Sequence, residues 1–278
     1  MAVEGVDCVA EVSEKGGVGK TSVTAGLIAA AAELGLRVGG VDLDPRGTLT
    51  DELGVDDPKK TVNDLFYVDE KKPPVDPVAI APTVMVRAGR RWPSNVFVLP
   101  ADRSLGNREK DGTSGMEYRL KRALSALRED IDVFFIDAPP RAGGQIVGAA
   151  LIAARRALIP STLSADGWSG ANQALITISH QNSPGCPNED LEVAGIVRSI
   201  VPRETEMREI HRLWDKRLAD DFGDLVLPTV ITNYAVRETA RTARAPITSA
   251  PGREAKALVG AYREVLFHTL PHLKEARR

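Results

Sequence analysis

Cysteine, histidine and aromatic residues are scarce in this chain, and each shortage removes a class of function. Its 278 residues include 2 cysteines, 4 histidines, 3 tryptophans, 4 tyrosines and 6 phenylalanines. Cys8 and Cys186 stand far apart and outside any CxxC spacing, which excludes a disulfide framework, a zinc site and an iron-sulfur centre. They read as ordinary thiols of a reducing compartment. His180, His211, His268 and His272 show no metal-ligand spacing, and Trp92, Trp168 and Trp214 read as packing residues. No stretch approaches the ~18 consecutive apolar residues of a membrane span, and no basic segment followed by an apolar run marks a leader. The expectation is a cytoplasmic protein with no membrane contact. Charge of either sign is also nearly absent in the balance: the net is -2, so any affinity for nucleic acid must come from a local patch.

What is present suits one sizeable core. Hydrophobic residues make up 43% and charged residues 27% of the chain, which predicts a single domain over residues 1–278. Short apolar runs at 6–12, 38–42, 95–99, 133–136, 157–160, 193–199 and 226–231 read as strands. They alternate with amphipathic stretches that begin near Lys20, Met116, Gly144, Gly170, Glu204 and Gly252. That alternation predicts a three-layer α/β fold, a mostly parallel sheet flanked by helices. Residues 56–94, where KKPPVDP and RAGRRWP concentrate proline and charge, read as irregular loop elaborating the sheet.

Three motifs end predicted strands. Residues 15–21 read KGGVGKT, after one strand and before a helix-forming run. Gly16, Gly17, Val18 and Gly19 let backbone N–H groups turn toward phosphate oxygens, and the helix N-terminus that follows adds partial positive charge. In such a loop Lys20 reaches the β- and γ-phosphates and the Thr21 hydroxyl ligates magnesium, with Ser22 beside it. The second motif is RVGGVDLDPRG over 37–47, whose paired acids are Asp42 and Asp44. The third is DVFFIDAPPRAGG over 132–144, an apolar strand ending in Asp137.

Together these motifs resemble the deviant Walker A ATPases of the ParA/MinD family, and most closely its DNA-partition members. The second lysine at the head of the loop, Lys15, carries much of the likeness. RVGGVDLDPRG is similar to the family's VDLDPQG, and the third motif to its IDxPP strand. Weaker likeness runs on through VLPADRSLGNRE (98–109), ALIPSTLSADGWSG (157–170), GIVRSIVPRETEMREI (195–210) and VITNYAVRETARTARAPI (230–247). The resemblance implies ATP and magnesium as cofactors. Lys15 would cross a dimer interface to the partner's phosphates, Asp44 would orient the attacking water, and Asp42 and Asp137 would support the magnesium. Thr232 and Asn233 would contact adenine, standing where the family often has Pro-Arg. Two departures bear on turnover. Arg46 replaces the usual Gln, and Glu14 occupies a position that is ordinarily neutral and polar, where it either weakens nucleotide binding or braces Lys15.

The resemblance further implies an ATP-dependent homodimer, a ParB-like partner that stimulates a weak ATPase, and non-specific binding to double-stranded DNA that associates the protein with the nucleoid. Arg237, Arg241, Arg244, Arg253 and Lys256, with Arg263, are the candidate phosphate contacts, since such binding needs no base readout. With the first motif at Lys15, no N-terminal helix-turn-helix domain is expected. The alternative is a MinD-like or other ParA-like ATPase that positions a protein cargo or a membrane-linked complex. A membrane anchor is disfavoured by Pro271, which interrupts the apolar face of the tail EVLFHTLPHLKEARR.

Overall fold

A computed structural model describes residues 3, 5–68, 75–111, 114–141 and 143–275. Its frame is one eight-stranded sheet in the order β3-β4-β2-β5-β1-β6-β7-β8. The strands are β1 (Asp7–Glu11), β2 (Val38–Asp42), β3 (Val86–Arg87), β4 (Val96–Leu99), β5 (Val133–Asp137), β6 (Arg156–Ser161), β7 (Glu192–Val201) and β8 (Val226–Thr232). Every pairing is parallel except that of β3 with β4. The predicted α/β architecture is therefore the observed one. The central strands β2 and β5 carry no charged residue before their closing aspartates because helices cover both faces, and both are buried along their whole length.

On one face lie α3 (Val62–Phe66), α4 (Pro77–Val84), α5 (Arg119–Ala126), α6 (Gln145–Ala153) and α7 (Ala165–Asn182). On the other lie α1 (Lys20–Glu33), α2 (Thr48–Glu52), α9 (Ala235–Thr242) and α10 (Arg253–Thr269). The remaining helix of similar length, α8 (Glu209–Phe222), packs on α7 around Leu218, with Trp168 tilted against Phe222. A short α11 (His272–Glu275) follows the turn at Pro271.

Residues 56–94 are more regular than their sequence suggests. Thr61 and Asp64 form a capping box that starts α3, and Asp76 caps α4, whose first residue is Pro77. Both helices are too short to show a periodic signal, so their caps were the legible trace. Part of KKPPVDP lies outside the described residues. Two helix starts also move: α7 begins at Ala165 under a Ser164 cap, and Glu204 opens only a single 3-10 turn before α8.

The helix against the middle of the sheet, α1, carries a close approach. A Cβ on Gly26 would lie 2.3 Å from the Tyr262 ring of α10. Alanine gains about 1 kcal/mol of helix propensity over glycine, but overpacking a filled core costs about 1–3 kcal/mol, and 2.3 Å is far inside contact. Gly26→Ala should therefore lower the melting temperature, by up to roughly 8 °C for a chain of this size. A rise would show that Tyr262 moves aside freely.

Candidate nucleotide site

The central order β2-β5-β1 places the carboxyl ends of three motif strands side by side. Glu11 pairs in register with Asp137, and Asp137 with Asp42. All three side chains are buried. Burial is the first cause that lifts each acid: Asp137 to about 8, with Asp42 the next contributor; Asp42 to about 6; and Glu11 well above the usual carboxylate range, with Asp137 adding to it. A row of acids held this way favours a cation.

Lys20 supplies one. The loop from β1 reaches α1 through Gly19, whose φ of 83° suits glycine and whose missing Cβ leaves room for Ile200, with Cγ1 3.2 Å from where that atom would stand. The buried Lys20 Nζ donates to the carbonyls of Ser13 and Lys15, both at 3.3 Å. Burial lowers its pKa, while Asp137 and Asp44 pull the other way. The next residue, Thr21, donates its hydroxyl to Asp137 Oδ2 at 2.6 Å. Asp137 Oδ1 is buried without a hydrogen-bond partner.

These groups open onto a cavity of about 460 Å³. Its phosphate end is lined by Gly16, Gly17, Gly19, Lys20, Thr21 and Ser22 with Asp44 and Asp137, and its other end by Thr232 and Asn233 with Tyr234 and Ile200. The Asn233 amide is held by the Val201 carbonyl at 2.7 Å. Ile200 reaches the cavity from a bulge in β7, where its φ is 53°; a branched residue rarely adopts that conformation. Val18 is buried in the loop and its carbonyl accepts from Ser199.

Asp44 and Asp42 have different settings. Asp44 Oδ1 accepts from the Arg46 amide at 3.0 Å, a local turn of the loop after β2. Asp42 does not line the cavity. Its Oδ1 accepts from the Asp44 amide at 3.1 Å and its Oδ2 from the Thr50 amide and hydroxyl, both at 2.8 Å. It fixes the Asp44 loop to the first turn of α2.

Lys15 stands at the mouth of the loop. Its side chain is 46% exposed, and its Nζ lies 3.2 Å from Asp166 at the start of α7. The arginines expected to form a DNA face are divided. Arg237 is withdrawn from such a face: its side chain is 12% exposed and ion-paired to Glu52 inside the cavity wall. Arg244 pairs with Asp51 and Asp56, Arg263 with Glu33, and Arg241 lines the cavity near Glu238. Arg253 and Lys256, in the first turn of α10, have no side-chain ion pair among the described residues. Two participants escaped the sequence reading. Glu11 was visible as a charge near the end of the apolar run VDCVAEV, and Glu52 gave no signal.

The AAA domain family model (AAA_31) matches residues 6–193. An uncharacterized protein of Mycobacterium tuberculosis is 33% identical over 258 residues, covering 92% of this chain and 76% of that protein. The sporulation initiation inhibitor protein Soj of Bacillus subtilis is 31% identical over 207 residues, covering 72% of this chain and 74% of Soj. A crystal structure of cobyrinic acid a,c-diamide synthase from Mycobacterium smegmatis with ADP and magnesium superposes with a TM-score of 0.73 at 30% identity, covering 98% of this chain and 97% of that one.

The chain is a P-loop ATPase. It belongs to the ParA/MinD-type family of these enzymes. ATP and magnesium are the cofactors of that family, and this site fits them. Asp137 Oδ1 is a buried acceptor lacking a partner beside the Thr21 hydroxyl, and Gly16, Gly17, Gly19 and Thr21 line the cavity together with Lys20, whose Nζ the Ser13 and Lys15 carbonyls hold.

Proposed function

We propose that the chain is a ParA-like partition ATPase: ATP binding joins two copies, the dimer holds DNA without sequence preference, and a ParB-like partner stimulates hydrolysis and release. The observation that carries this reading is Lys15, a second lysine at the mouth of a phosphate loop that already has Lys20 inside it. A single nucleotide in the cavity is served by Lys20, so Lys15, half-exposed and ion-paired to the well-exposed Asp166, can be exchanged from that surface pair to a second copy. Curated relatives support the partition class, among them a chromosome partitioning protein ParA of Caulobacter vibrioides, 29% identical over 235 residues.

Within one subunit, the loop amides and Lys20 hold the phosphates. Thr21 and Asp137 would hold magnesium, which supplies charge neutralisation on the phosphate oxygens. Asp44 orients the attacking water, and Asp42 acts behind it by holding the loop. Thr232 and Asn233 border the base. The DNA contact falls to Arg253 and Lys256, doubled by the dimer so that the second engagement becomes effectively intramolecular. A role on membranes is the weaker reading. The apolar side of α10, including Leu258, Val265 and Leu266, is buried in the core, and among the described residues no helix is long and apolar enough to cross a membrane.

The test is a mobility shift on duplex DNA with ATP, with ADP and without nucleotide, beside light scattering for mass. ATP alone should give both dimer and shift, and the shift should weaken steeply with salt. Lys15→Ala should lose dimer and shift together. Arg253→Ala with Lys256→Ala should keep the dimer and lower DNA affinity by roughly tenfold. Equal DNA affinity in all three nucleotide conditions would reject the switch.

A further inference from the structure

The cavity wall holds a buried polar cluster that the phosphate chemistry does not use. Arg237 of α9 donates to Glu52 of α2 at 2.5 Å and to the Ser22 carbonyl of α1 at 3.3 Å. Tyr262 of α10 is buried beside them, and its pKa is raised by burial while Arg237 opposes the rise. The Glu52 side chain is only 2% exposed. Glu52 Oε2, Arg237 Nε and Tyr262 Oη are all buried without a well-formed hydrogen bond, although Arg237 and Tyr262 lie close enough to act on each other, and all three residues line the same cavity as Lys20 and Asp44. Polar atoms orphaned at such depth are rare and costly. Satisfying them takes a shift of the side chains themselves, which a ligand filling the cavity that these residues line can supply.

The cluster also holds something in place. The five residues of α2 are too few to be stable alone, and the Gly47 cap contributes no side-chain hydrogen bond. At its front α2 is pinned by Asp42 through Thr50. At its back the Glu52 carbonyl accepts from Trp92 Nε1 at 3.0 Å and the carboxylate meets Arg237. The segment between β2 and α2 carries Asp44. On the other side, α9 begins just after Thr232 and Asn233 at the base end of the cavity.

We infer that Glu52, Arg237 and Tyr262 form a nucleoside-sensing cluster that couples occupancy of the base end of the cavity to the placement of Asp44. Glu52 and Arg237 are positioning residues: they touch α2, α1 and α9, and through α2 they set the hydrolytic loop. The inference rests on the proposed role of Asp44, and it adds to that role the route by which a bound nucleoside organises the water site.

The experiment compares the parent protein with Glu52→Gln and with Tyr262→Phe, which removes only a hydroxyl. Steady-state ATPase, ATP affinity and hydrogen exchange of residues 48–54 are measured with and without Mg-ATP. Misplacing a catalytic group from a distance costs up to about a hundredfold in rate, so Glu52→Gln should lower kcat by roughly ten- to a hundredfold with ATP affinity within about threefold of the parent. Mg-ATP should slow exchange over residues 48–54 in the parent and not in Glu52→Gln. Should Glu52→Gln fold poorly, Tyr262→Phe carries the same expectation at smaller size, a lower kcat and a weakened ATP-dependent slowing. A well-folded variant that turns over and slows exchange as the parent does overturns the inference and leaves the cluster a structural brace. An inactive parent would instead count against the ATPase reading itself, so the two failures are distinct.

Discussion

Replacing Lys20 with alanine is expected to abolish ATP binding while leaving the nucleotide-free protein folded. The Lys20 ammonium is buried, and burial lowers its pKa more than Asp137 and Asp44 raise it, so in the free protein the cost of burying the charge offsets most of what the acids supply. Its hydrogen bonds are two carbonyl contacts at 3.3 Å, near the long end of the useful range. The bound state is different. Without Lys20 a polyanion would meet Asp137, Asp42 and Glu11, which lie in register on neighbouring strands. Breaking a buried charge pair costs about 3–5 kcal/mol, roughly two to four powers of ten in affinity. Thermal melting reads both halves. A ligand at about a hundred times its Kd stabilises by about 2.7 kcal/mol, so Mg-ATP should raise the parent's melting temperature by roughly 5–10 °C. Lys20→Ala should melt within about 3 °C of the nucleotide-free parent and show no rise with Mg-ATP. A persisting rise would mean that the phosphates are held elsewhere.

How far the sequence revealed this site follows from the range of the forces involved. The phosphate loop is legible because its determinants are local: glycines that permit the turn, a lysine, a hydroxyl and the helix that follows, all within a few residues. Asp44 and Asp137 are legible because each closes an apolar run, and strand ends of a parallel sheet gather at one edge. The fates of the other charges depend on distant partners. Arg237 and Arg253 look alike in sequence, yet one is buried against Glu52, 185 residues away, and the other is exposed. Asp42 carries the same signal as Asp44, but Thr50 takes up its carboxylate. Glu52 is unremarkable in sequence because α2 is too short for periodicity to show which side faces inward. In residues 56–94, short capped helices are fixed by packing under the sheet, and proline and charge obscured them.

The Asp44 loop yields the remaining large effect. Asp44→Ala should bind Mg-ATP as the parent does and lose turnover by roughly a hundredfold, because Asp44 lines the cavity without belonging to the loop that cradles phosphate. Two causes of such a loss must be separated. One Asp44 oxygen caps the Arg46 amide at 3.0 Å, so alanine removes a turn contact as well as a carboxylate. Asp44→Asn separates them: its side-chain oxygen can still cap Arg46, but it carries no charge and is a far weaker partner for water activation. If Asp44 orients the attacking water, asparagine and alanine should be nearly equally inactive, and both should retain the rise in melting temperature with Mg-ATP. If it serves only to shape the loop, asparagine should restore most of the activity. The flanking acid gives a third reading of the same loop. Asp42→Asn keeps one acceptor oxygen, for Thr50 or for the Asp44 amide but not both, and should fall between the parent and Asp44→Ala if Asp42 acts by holding the Asp44 loop in place. Parent-like turnover by Asp44→Ala would remove Asp44 from the chemistry and leave Asp137 as the acid nearest the phosphate loop.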